Sequence, residues 1–202
     1  MRSFSGFALM ALVYAGATVA AETAAKPDLA RGKQIATSVC VSCHGAEGIA
    51  TVPNPHLAGQ DAYYIQRQLM AFKGGTRPSP IMQPMASSLS TEDMLAVGAY
   101  YASQKPPQAA ARDKALAERG QKVWRAGVKA TTVPACAGCH GASGRGMSAQ
   151  FPALAGQNPD LLLGWLKAFA SGERPNEIMK VVASKMTEAD MKAVAEYASG
   201  LR

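Results

Sequence analysis

The sequence predicts an all-α fold built from two tandem copies of one small helical domain. Three observations predict it. The chain repeats itself: residues 40–48 read CVSCHGAEG and residues 136–144 read CAGCHGASG, while LAGQ occurs at 57–60 and again at 154–157. Apolar residues recur at helical intervals, at Met94, Val97 and Tyr101 and again at Met191, Val194 and Ala198. No stretch shows the apolar–polar alternation of a half-buried strand.

The elements follow in order. Residues 1–21 carry Arg2, then an apolar run over 6–19 broken by one Thr, then the small residues Ala20 and Ala21. That order reads as a secretory signal, and so predicts an exported, periplasmic protein. The competing reading is a membrane anchor, for which the run is shorter than the ~20 residues a span needs. The first copy occupies residues 22–104. A helix is expected over 29–39, another over 61–73, and a last one starting at Ser90, which has Asp93 three residues on in a capping arrangement. Residues 105–112 form a linker, where Pro106 and Pro107 stop a helix and stiffen the connection. The second copy, 113–202, repeats the pattern with helices over 115–125 and 159–170 and from Thr187. Arg31-Gly32 matches Arg119-Gly120 at an offset of 88, the Cys pairs match at 96, and everything from LAGQ onward at 97. The second copy therefore carries eight extra residues before its Cys pair, within 126–134. Glycine costs a helix about 1 kcal/mol. Its recurrence at Gly32 and Gly120 points to another helix packed close against the backbone there.

The formal charge is +7, or +6 once Arg2 is removed with the leader. It is uneven: residues 26–104 hold 6 basic and 5 acidic side chains, residues 112–202 hold 13 and 8. No Arg/Lys run accompanies the excess, and export argues against a nucleic-acid partner. Different docking fields on the two halves, or a plain solvated surface, both accommodate it. On the first reading the two halves would dock different redox partners; no small-molecule substrate is expected, and peripheral membrane association is compatible with the sequence.

The chemistry lies in two C-x-x-C-H motifs, Cys40, Cys43 and His44, and Cys136, Cys139 and His140. This is the attachment signature of c-type haem. Two thiols three positions apart on one helical turn can each bond a vinyl group on one porphyrin edge, and the next His lies under the ring. Two covalently bound haem c groups are thus expected. A domain this small rarely stabilises itself by more than about 3–5 kcal/mol, and a flat apolar cofactor would serve as both staple and core. The rival readings fit less well. Thioredoxin-like C-x-x-C wants a βαβ context, a four-Cys zinc site wants closer pairs, and two disulfides would leave both His residues unexplained. A low-spin electron carrier commonly adds Met as the sixth ligand. Among ten Met residues the repeat selects Met82 and Met179, in RPSPIM and RPNEIM; Met94 and Met191 also match, but they sit on the apolar face of the last helix, where packing is expected. Met85 is a close rival, but its counterpart is Val182. His56 matches Ala153, so its side chain serves no role common to both copies, and a loop or surface position is expected. Pro55 and Pro152 do match, and a carbonyl there could accept the Nδ1–H of the axial His. Arg77 and Arg174 match as propionate partners or as solvated surface residues. Trp124 and Trp165 read as core.

The duplicated motif, the P-x-L-A-G-Q segments and the Met followed seven residues later by Leu-Ser or Met-Thr resemble the cytochrome c4 family across the whole mature chain. The resemblance implies two tandem class I cytochrome c-like domains, each wrapped around one haem. It implies thioether attachment at Cys40, Cys43, Cys136 and Cys139, and axial pairs His44/Met82 and His140/Met179. It gives the carbonyls of Pro55 and Pro152 the task of supporting the axial His. Met186 departs from the usual Leu, and the longer approach to the second Cys pair is a local unknown. The implied function is a periplasmic electron carrier in a respiratory chain and no enzyme. Its implied partners are a quinol-oxidising complex and a terminal oxidase. Alternatives are an electron-accepting subunit of an exported dehydrogenase, and a dihaem enzyme with one open iron site.

Overall fold

A computed structural model describes residues 26–201 apart from 52 and 148. The proposed leader, 1–21, lies outside the described residues. Among these, the chain is helical with no named strand, and Val128 and Val133 form an isolated antiparallel bridge. The first copy contains α1 (Leu29–Ile35), α2 (Val41–His44), α3 (Ala62–Lys73), α4 (Met82–Ser87) and α5 (Thr91–Ala102). The second contains α6 (Lys114–Ala126), α7 (Ala137–His140), α8 (Pro159–Ser171), α9 (Glu177–Ala183) and α10 (Glu188–Ser199).

The helix starts are written in side-chain oxygens. Asp28, Asp61, Ser90, Asp113, Asn158, Asn176 and Thr187 each accept a backbone N–H from the first turn of the helix they precede. The expected N-caps Ser90 and Thr187 are among them, accepting from Asp93 and Asp190.

In each copy the first long helix packs on the last, α1 on α5 and α6 on α10. The glycines explain the closeness. A Cβ on Gly32 would sit 2.1 Å from the Ala96 carbonyl oxygen, and one on Gly120 would sit 2.0 Å from that of Ala193. A matching ion pair closes each crossing. Arg31 meets Asp93 at 2.7 Å and Arg119 meets Asp190 at 2.7 Å. The apolar stripe of the last helix supplies the core: Met94, Val97 and Tyr101 are fully buried, as are Met191, Val194 and Ala198.

Three local features differ from the sequence expectation. The first helix does not stop at 39. It widens into a π-helical turn, Ala36–Cys40, and runs on through α2 to His44. Second, α4 and α9 are short helices in segments where the sequence reading placed no element. Pro84 is tolerated because it occupies the first turn of α4, where its N–H would lack an intrahelical partner anyway. Third, the eight-residue insertion folds back on itself. Val128 and Val133 exchange N–H···O bonds of 2.9 and 3.1 Å, and Val133 is buried. Gly127 makes the turn possible: its φ is +70°, and a Cβ there would lie 2.0 Å from the Val133 oxygen.

The copies also exchange a large residue. The first core holds Ala36 on the π-helical turn and Tyr101 on α5, whereas the second holds Trp124 on α6 and Ala198 on α10. Positions 36 and 124 correspond, as do 101 and 198. Beside the matching Phe72 and Phe169, each core keeps one further buried aromatic, but it enters from opposite helices.

Candidate haem-binding sites

Both motifs end a helix. Gly45 and Gly141, at φ +74° and +80°, terminate α2 and α7 directly after the histidine. A Cβ on Gly45 would meet the Ile49 oxygen at 2.3 Å, so the chain turns sharply there and the imidazole closes the segment. His44 and His140 are both buried. His44 Nδ1 donates to the Pro55 carbonyl at 3.0 Å, and His140 Nδ1 donates to the Pro152 carbonyl at 2.9 Å. Burial lowers both imidazole pKa values, against the opposing pull of those carbonyls. Each ring is therefore neutral with its proton on Nδ1. That leaves the Nε2 lone pair free for a metal.

The four cysteines form no disulfide. Burial pushes the Cys40 thiol up and the Cys136 thiol up to about 11, so neither is a ready thiolate nucleophile. Among the described residues no group of three or more His, Cys, Asp or Glu gathers that could hold a bare metal ion.

In the second domain Cys136, Cys139, His140 and Met179 line one cavity of about 770 Å³, which reaches across to His56, Tyr64 and Arg77 of the first. Met179 is partly buried against its core and Met82 against the first core, while Met85 is largely exposed on α4. The cavity wall carries polar groups in need of partners. Trp124 Nε1 and Arg174 Nη1 are buried with no hydrogen-bond acceptor, and the Tyr101 hydroxyl is in the same position in the first domain. Arg174 lies over the Trp165 and Phe169 rings, at 4.6 Å from each centroid, and Arg77 lies 4.4 Å over Phe72. Arg77 donates to Gln68, and Arg174 donates to the Tyr64 hydroxyl across the domain boundary at 3.4 Å. Burial depresses both guanidinium pKa values. That of Arg77 falls to about 9, with the charge of Arg174 adding to the effect. These arginines are not the solvated surface residues that the sequence left open. Two converging cations, an orphan guanidinium N–H and an orphan indole N–H suit a flat apolar group bearing carboxylates. A haem with its propionates has that chemistry, so the residues present fit it.

The sequence underrated one part of the site. His56 is half-buried at the domain boundary, where its Nδ1 accepts the Ala50 N–H at 3.0 Å. Its backbone does more. The His56 N–H donates to Gln157 Oε1 at 3.1 Å, and Gln157 Nε2 returns a bond to the His56 carbonyl at 2.7 Å. The mirror arrangement joins Ala153 to Gln60, at 2.9 and 3.0 Å. His56 and Ala153 share a role after all, but one performed by the backbone, so the side chain is free to differ. The repeated LAGQ was the available signal, since its glutamines are buried polar residues at matching positions.

The Cytochrome c family model matches residues 29–105 and again 117–201. Cytochrome c4 of Thiocapsa roseopersicina is 42% identical, over 84% of this chain and 91% of that protein. The thiosulfate dehydrogenase electron acceptor of Stutzerimonas stutzeri (strain A1501) is 40% identical, over 82% and 80%. The crystal structure of reduced recombinant cytochrome c4 from Pseudomonas stutzeri superposes with a TM-score of 0.82 at 36% identity, covering 88% of this chain and all of that one.

Proposed function

The chain belongs to the cytochrome c4 family of dihaem electron carriers, and from that premise we propose how its residues do the work. Cys40 and Cys43 anchor one haem and Cys136 and Cys139 the other. His44 with Met82, and His140 with Met179, would ligate the two irons. Each iron, so held, supplies a one-electron ferric–ferrous couple.

The observation that carries the assignment is the pair of neutral imidazoles, each fixed by a proline carbonyl so that only Nε2 is free. The carbonyls also increase ligand basicity and hold the rings against rotation. For the sixth ligand, the repeat is supported by burial, since Met82 and Met179 face their cores and Met85 does not. A thioether favours the ferrous state and raises the potential. Side chains so placed would leave the iron no free position for a substrate, which favours a carrier over an enzyme.

We place the mature protein in the periplasm, after export by residues 1–21; among the described residues no helix is long and apolar enough to cross a membrane. Its donor would be a quinol-oxidising complex and its acceptor a terminal oxidase. A second reading has a specific observation behind it. The thiosulfate dehydrogenase electron acceptor is nearly as similar as the cytochrome c4 relative, so an exported dehydrogenase is the other candidate donor. Stopped-flow reduction by each candidate donor separates the two.

The ligand assignment is tested by a redox titration that follows the weak Met–iron absorbance band. Met82→Ala and Met179→Ala each remove the band of one haem, and Met85→Ala leaves both intact. Loss of a band in Met85→Ala would overturn the choice.

A further inference from the structure

Each axial-histidine support is gripped from the far side of the domain boundary. The peptide group linking Pro55 to His56 is bonded at both ends. Its carbonyl accepts from His44 Nδ1 at 3.0 Å, and its N–H donates to Gln157 Oε1 at 3.1 Å. The peptide linking Pro152 to Ala153 repeats this, accepting from His140 Nδ1 at 2.9 Å and donating to Gln60 Oε1 at 2.9 Å. Gln60 belongs to the first domain and Gln157 to the second, so the connections are crossed. Both glutamines are buried, and each amide pairs with the N–H and the C=O of a single residue, as one residue pairs with another in a β-ladder.

We propose that Gln60 and Gln157 are positioning residues that tune the axial histidine of the opposite domain. The inference rests on the reading of His44 and His140 as iron ligands. Its physical basis is hydrogen-bond cooperativity. A peptide whose N–H is engaged carries a more negative carbonyl oxygen and is a better acceptor. Gln157 thereby strengthens the Pro55 carbonyl as a partner for His44 Nδ1–H. A stronger bond there makes Nε2 a better electron donor, which favours the ferric state. Gln60 does the same for His140. The second bond of each amide, to the carbonyl of residue 56 or 153, locks the register of the loop. The electron affinity of each haem is in this way set partly by the other domain, and only while the two domains stay docked.

The test is a spectroelectrochemical titration of the holo-protein, with the two haems told apart by their methyl proton resonances. Gln157→Met keeps the length and apolar bulk and removes the acceptor. It raises the midpoint of the first haem and leaves the second in place. Gln60→Met raises the second and leaves the first. Equal movement of both haems, a shift confined to the variant's own domain, or no shift overturns the proposal. Should a Met variant fail to fold, Gln157→Glu offers a stronger acceptor and lowers the first haem's midpoint more than the second's; no shift, or one upward, again overturns it. The wild-type spectra keep the underlying reading separate. Absence of His/Met low-spin signatures refutes the ligand assignment, whereas normal signatures without the crossed shift refute only the role of the glutamines.

Discussion

Replacing Gly32 by Ala probes the tightest contact in the first domain. The new methyl would lie 2.1 Å from the Ala96 carbonyl oxygen and 3.1 Å from the Tyr100 Cβ. Restoring ordinary contact requires α1 and α5 to part by roughly 1.3 Å, and the obstacle is backbone, which cannot swing aside. Overpacking of this kind costs about 1–3 kcal/mol. Alanine's better helix propensity offsets about 1 kcal/mol of that. The net expectation is a loss of about 0–2 kcal/mol. In a domain of this size each kcal/mol lowers Tm by about 4–8 °C. Gly120→Ala, 2.0 Å from the Ala193 oxygen, behaves alike. The control is Gly164→Ala, in the middle of α8 with nothing within 4 Å of the added carbon. There the propensity term acts alone and stabilises by about 1 kcal/mol. Thermal unfolding of the holo-protein followed by circular dichroism reads all three. If Gly32→Ala raises Tm as Gly164→Ala does, close helix approach is not the reason for the glycine.

Three further outcomes follow from the same geometry. Arg31 holds the Asp93 carboxyl below its ordinary range, and Thr187 and then Arg119 do so for Asp190. Such stability is fully present above the unfolded carboxylate value of about 4 and lost as pH falls through the lower folded value. Asp190→Asn therefore costs no more than about 1 kcal/mol at pH 7 and flattens the acid limb below about pH 4, in denaturant melts at pH 7 and pH 3. Arg174→Leu removes a cation facing the second site, so it lowers that haem's midpoint more than the first's in a redox titration; equal values would place the guanidinium away from the haem. Finally, Tyr101→Ala alone costs about 3–5 kcal/mol. Combining it with Ala36→Trp recreates the second domain's arrangement, and a double-mutant cycle should show the pair destabilising less than the summed singles.

Much of the site was legible because its signals are local. The C-x-x-C-H spacing is covalent chemistry within one helical turn, and no tertiary contact is needed to read it. The repeat then acted as an internal comparison. It left two matching methionine pairs, of which Met94 and Met191 fall on an apolar helix face, and it separated Gly32 and Gly120 from incidental glycines. Capping and apolar periodicity placed most helices to within a few residues. The misses have physical causes as well. The π-helical turn at Ala36–Cys40 and the short helices α4 and α9 depend on packing against a core. Arg77 and Arg174 looked as much like surface residues as ligand partners, because a cation's burial is set by the aromatic rings it stacks on.

The sequence by itself determined the duplication, the helical class, two haem attachments and the candidates for all four axial ligands. Only the tertiary structure decided that the larger core aromatic, Tyr101 or Trp124, enters one domain from the last helix and the other from the first. It also decided that the peptide accepting from each motif histidine, His44 or His140, is held by a glutamine from the opposite domain. A hydrogen bond to a backbone N–H or carbonyl leaves no trace in the partner's side chain, so His56 and Ala153 could diverge while serving the same contact. Such bonds, 93 to 101 residues apart along the chain, exist only once the two domains are docked.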